Sequence, residues 1–162
     1  MLAHATTEHS SIMGAATMLR KILAIVLGMV IGSVVNMMFV QLSNSVYPLP
    51  EGVDPNDFEA CKAYVEAHGL PTGVLLIVHI AHAGGSFASG FVCGAIVKKP
   101  WYFAAALLGI LWTAGGVAML LMLPSPIWFA ITDVAFYIPA ALFGTWAGGR
   151  LIGGATPASP AD

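Results

Sequence analysis

Residues 78–94, VHIAHAGGSFASGFVCG, form the middle of an apolar segment that reads as a membrane-spanning helix and carries two histidines among apolar and small residues. At about 100° per residue, His79, His82, Ser86, Ser89, Gly90, Cys93 and Gly94 fall on one face. Ile77, Ile80, Phe87 and Phe91 turn the other way. Inside lipid, a helix with one small-and-polar side and one bulky side presents the small side to neighbouring helices.

The composition around this stretch says the same. Mean hydropathy is +0.85, and only 9% of the 162 residues are charged. A soluble domain carries about 25%. The length allows one bundle and no sizeable soluble domain. Cys61 falls in a predicted loop and Cys93 deep in a helix, so they make poor disulfide partners, and neither belongs to a CxxC pair. Arg20-Lys21 before an apolar run resembles the start of a signal peptide. The run continues past Met38 with no small-residue cleavage site, so a retained first span is expected.

Outward from residues 78–94, the sequence predicts an all-α, integral-membrane, antiparallel four-helix bundle. Its spans cover 19–42, 72–97, 101–123 and 126–151, each long enough to cross about 30 Å of hydrocarbon. Residues 1–17 are expected as a flexible cytoplasmic tail and 153–162 as a disordered one. Between the first two spans, Asp54-Pro55 signals a helix start and Gly69 its end. Phe58, Cys61, Tyr64 and Val65 give that loop helix, over 55–68, an apolar stripe for the outer membrane surface. In the hairpin LPSP, Ser125 is expected as N-cap and Pro126 as the first helical residue.

Topology follows from the basic residues. Arg20, Lys21, Lys98, Lys99 and Arg150 fall on one side of the alternation and only Lys62 on the other. This predicts a multi-pass protein of the cytoplasmic (inner) membrane with both termini cytoplasmic. The loop holding Glu51, Asp54, Asp57, Glu59 and Glu66 lies outside. Its acidity is that of a solvated loop, with cation attraction as the rival reading.

That topology lets depths be compared. Asn36, the His79/His82 pair and Asp133 each lie about 10–15 Å below the outer ends of their spans. The polar cluster predicted is therefore Asn36, His79, His82, Asp133 and Tyr137, with Phe136 on the same face as Asp133. A carboxylate at such depth is costly unless paired, neutralised or hydrated. A His–Asp pair can hold or pass one proton, because imidazole titrates near neutrality. A hydrogen-bonded clasp between helices is the structural alternative. Helix packing is assigned to Gly28, Gly32, Ser86, Gly90, Gly94, Gly144 and Gly148, and a kink to Pro139.

Cofactor readings are thinner. His79 and His82, three apart on one helix, cannot ligate haem from both sides. Met29, Met37, Met38, Met119 and Met122 gather toward the outer half and would suit copper(I), but methionine is also ordinary core filler. HxxH lacks the glutamate of HExxH. Exposed His4 and His9 carry no motif. No cofactor is predicted, the metal status is left unknown, and there is no basic surface for nucleic acid. The partners expected are the lipid bilayer and either further copies of the chain or a larger membrane complex.

HIAHAGG (79–85), LPSPIWFAITD (123–133) and YIPAALFG (137–144) resemble small four-helix membrane proteins of bacteria. The resemblance spans the last three helices and implies topology without a mechanism. Three functions stay open: a non-enzymatic oligomeric or accessory subunit, which leads; a proton- or ion-linked transporter or channel using His79, His82 and Asp133; and a redox or metal-binding membrane protein.

Overall fold

The computed structural model describes residues 2–54 and 56–153. Five helices follow in order: α1 (Leu2–Val46), α2 (Phe58–His68), α3 (Thr72–Val97), α4 (Tyr102–Met122) and α5 (Ile127–Leu151). Among the described residues there is no strand. Four helices, α1, α3, α4 and α5, are long and apolar enough to cross a membrane.

The ends of α3, α4 and α5 fall within a residue of the hydrophobic runs at 72–97, 101–123 and 126–151, whereas α1 extends well beyond 19–42. α1 is already helical from Leu2, where the sequence suggested a tail without structure through residue 17. Its 45 residues reach about 67 Å, far beyond the hydrocarbon. Ala3, Ala5, Ala15 and Ala16 are strong helix formers, no proline interrupts them, and Gly14 alone costs only about 1 kcal/mol. The side chains of His4 and His9, and all of residues 154–162, lie outside the described residues, as does Pro55.

α2 starts three residues later than the Asp54-Pro55 signal suggests. Asp57, in extended conformation, is its N-cap and accepts hydrogen bonds from the Glu59 and Ala60 amides at 3.0 and 3.1 Å. Asp54 instead closes a turn, accepting from the Asn56 amide at 2.8 Å. Both carboxylates suit a cap, and sequence alone does not choose between them. Ser125 likewise does not cap α5: its hydroxyl donates to the Leu123 carbonyl at 3.3 Å, and Pro126 occupies the cap position without a side-chain bond.

α3 is the hub. It packs against α1 on one side and α5 on the other and also touches α4, and α5 in turn packs against α4; α1 and α4 meet over a short stretch. The glycines explain how close these approaches are. A Cβ on Gly90 would run into the Ala141 carbonyl, and one on Gly144 into the Phe87 carbonyl, so α3 and α5 meet backbone to backbone. Gly94 and Gly148 repeat the arrangement one turn further on, and Gly28 and Gly32 press α1 onto Ser89 and Gly85 of α3. A small core of Ala24, Cys93, Ala104 and Leu108 lies where α1, α3 and α4 converge. Pro139 sits inside α5, which runs unbroken past it.

Candidate functional site

The site is built across the α3–α5 seam. Asp133, one and a half turns into α5, is 1% exposed. His82, the imidazole on the inner face of α3, donates from Nδ1 to both carboxylate oxygens, at 2.9 Å to Oδ2 and 3.0 Å to Oδ1. Tyr137 lies one turn along α5 from Asp133. Its hydroxyl donates to Oδ2 at 2.7 Å and sits 2.8 Å from the same His82 Nδ1. Two titratable groups thus share one buried carboxylate.

The rest of the layer positions these three. The Ser86 hydroxyl, one turn from His82, donates to the Tyr137 carbonyl at 2.7 Å and ties α3 to α5 beneath the carboxylate. Trp112 of α4 stacks on Tyr137 with ring centroids 6.5 Å apart and planes 17° apart. Its indole N–H donates to the Ser89 hydroxyl at 2.9 Å, so three helices fix the Tyr137 ring. Gly116 of α4 makes way for the Tyr137 hydroxyl, which a Cβ there would strike.

His79 stands further off. Its Nδ1 is 3.6 Å from Asp133 Oδ1, ion-pair distance if protonated but too long for a hydrogen bond, and that buried nitrogen has no hydrogen-bond partner. The ring instead sits edge-on to Phe129 and Phe136, at 5.6 and 5.2 Å. Asn36 does not bond to the cluster: its buried Oδ1 is unpaired, and the side chain faces His82 and Tyr137 across a cavity. Phe136, on the carboxylate's side of the wheel, is half exposed.

Two cavities meet the site. One, of about 410 Å³, lies in the groove that α1 and α4 leave over α3; Ser33, Asn36, His82, Trp112 and Tyr137 supply its polar lining. The other, of about 230 Å³, is lined by Leu70, Leu123, Ser125 and Phe129 and ends on His82 and Asp133. His82 borders both. A third, of about 520 Å³, lies beneath α2 and the 47–50 turn. Met119 borders all three.

The methionines of the outer half are spread over the helices. Met29 and Met119 line the groove, while Met37, Met38 and Met122 are about half exposed or more. Among the described residues, no group of three or more His, Cys, Asp or Glu side chains is arranged to hold a metal. Both cysteines are free, with Cys93 fully buried.

Sequence reasoning grouped Asp133 with His79 or His82, Asn36 and Tyr137 without choosing between the histidines; the structure brings His82 and Tyr137 to hydrogen-bond distance. Sequence reasoning missed Trp112, because an indole on a predicted lipid-spanning helix gives no sign of which ring it will stack on. It also missed Gly116 as the notch for the Tyr137 hydroxyl. No family model matches the chain, and neither does a curated protein or a solved structure.

Proposed function

We propose that the protein is a small proton-linked transporter of a cytoplasmic membrane, in which Asp133 and His82 take up and pass a proton. In this reading the four long helices form an antiparallel bundle with both termini in the cytoplasm. α2 lies along the outer surface, turning Val65 inward. The basic residues at one end and the acidic 51–66 loop at the other support that orientation.

One observation carries the functional reading. A fully buried carboxylate is held by His82 and Tyr137, and His82 also borders cavities on two sides. An ionised pair and a neutral pair differ only in where one proton sits along the 2.9 Å between Nδ1 and Oδ2. A proton that arrives on Nε2 lets Nδ1 release its own to Asp133, leaving a neutral imidazole and a neutral acid. Tyr137 donates to the carboxylate while it is charged, which lowers the cost of that state at a buried position. Met119, a flexible side chain that borders both cavities at His82, is the gate between them.

In proteoliposomes holding the full chain, an imposed pH gradient drives proton flux, and Asp133→Asn reduces it to the leak of empty vesicles. Unchanged flux in Asp133→Asn overturns the assignment.

A second reading, the oligomeric or accessory subunit, draws on α4. Ala114 and Ala118, one turn apart, line a shallow outward-facing cleft with Thr113 and Ile138. A small-xxx-small pair of this kind lets another helix come close. Crosslinking through Ala118→Cys captures a dimer if this face pairs with a second copy; a protein that stays monomeric in mild detergent excludes it.

A further inference from the structure

We propose that the cleft at the basic end of α1 and α3 binds the phosphodiester headgroup of an anionic phospholipid. The inference rests on the membrane reading and not on the proton path.

The cleft holds about 310 Å³ and is lined by Thr17, Arg20 and Lys21 of α1, Val97 of α3, and Lys99 in the turn before α4. Three of its five lining residues are cationic. Among the described residues, none of these cations pairs with a carboxylate: the Lys62–Glu66 bridge and the His–Asp133 contacts lie elsewhere. Like charges gathered with no carboxylate paired to them among the described residues repel one another, so a bound anion lowers the energy of this arrangement.

Two of the cations are already held in place. The Arg20 Nε donates to the Ile96 carbonyl at 2.7 Å and a terminal guanidinium nitrogen reaches the same oxygen, at the negative end of α3. That leaves the remainder of its five N–H donors for a ligand. Lys21 Nζ lies over the Trp101 ring, 5.3 Å from its centroid. Lys98 adopts a left-handed conformation (φ 59°) that ends α3 and turns the chain at the cleft's edge. Little ordering is therefore left to be done when a phosphate arrives.

A lipid is favoured over a soluble anion by what flanks the cations. Trp101 marks headgroup depth, where indoles collect. Below the cleft, the α1 surface is apolar and exposed, with Leu19, Ile22, Leu23 and Val26 all outside the core. A phosphate held by Arg20, Lys21 and Lys99 would have its acyl chains on that surface, as basic pockets between spans hold acidic lipids.

The full chain in phosphatidylcholine nanodiscs doped with phosphatidylglycerol tests this, read by native mass spectrometry of the lipid that stays bound on ejection. Phosphatidylglycerol is expected to be retained about tenfold over its share in the disc, at one per chain. Lys21→Gln and Lys99→Gln, each leaving the Arg20–Ile96 bond intact, are expected to cut that preference at least threefold. Arg150→Gln, a cation of the same end outside the cleft, is expected to leave it unchanged. Retention at the bulk ratio, or an equal drop in Arg150→Gln, overturns the proposal. So does displacement of the bound lipid by millimolar inorganic phosphate, which marks a site for a free anion.

Discussion

Asp133 receives donors from His82 and Tyr137 at hydrogen-bond distance and from His79 only at 3.6 Å, and that ranking sets the expected effects. His82→Gln should lower proton flux more than His79→Gln. A larger effect at His79 would mean that the longer contact is the working one. Tyr137→Phe keeps the ring stacked on Trp112 but removes one donor to the carboxylate. That bond lies within α5, and a side-chain hydrogen bond contributes about 0.5–1.5 kcal/mol net. A loss of about 1 kcal/mol in detergent unfolding is expected, and a loss of several times that would show that the hydroxyl also organises His82. At this scale the sequence was informative where depth and helical face coincide, as at His82, Asp133 and Tyr137. It failed at Asn36, whose depth is right but whose helix stands across a groove. Distance between two helices is a property of their packing and leaves no mark on either one alone.

Among the helices, α3 holds the assembly together and glycine sets its separations. Gly90→Ala forces a methyl into the Ala141 carbonyl, a backbone atom that cannot step aside. It should cost several kcal/mol in unfolding or prevent assembly, in the range of overpacked cores. Gly84→Ala, on the same helix, meets only the Phe39 ring at 3.6 Å and a Val35 methyl at 3.9 Å, ordinary van der Waals contacts. It should be neutral or gain up to about 1 kcal/mol from helix propensity. Equal losses at both positions would deny the close approach. The small-xxx-small spacing made these contacts legible in the sequence, because backbone proximity demands missing side chains. The start of α2 was not legible, since Asp54 and Asp57 both offer a capping carboxylate and the choice depends on the preceding turn. Asp57→Ala should speed hydrogen exchange at the Glu59 and Ala60 amides and cost about 1 kcal/mol, whereas Asp54→Ala should leave those amides alone. Faster exchange there in Asp54→Ala would shift the cap back to that residue.

For the molecule as a whole, charge and hydrophobicity are segregated along the bundle axis. The orientation proposed from this segregation is checked by the two native thiols. Cys61 on α2 should react with a membrane-impermeant maleimide added outside intact cells, and Cys93, fully buried, should react only after unfolding. Labelling of Cys61 solely from the cytoplasmic side would invert the topology. Hydrophobic length and the distribution of lysine and arginine made the four spans readable before any coordinates, since bilayer thickness fixes the one and membrane insertion the other. The reach of α1 back to Leu2 was hidden, because a polar, alanine-rich stretch looks the same whether coiled or helical until it is continued from a span.

The α3–α5 seam also bears on how the chain is made. Ribosomes deliver α3 first, so His79 and His82 are already in the bilayer when the final span emerges with its acid. Asp133 is thus met on arrival by groups able to take up its charge, against a docking face already in place. Exchanging the acid and the histidine between the two helices would preserve the finished contact but reverse that sequence, stranding a bare carboxylate until α5 emerged.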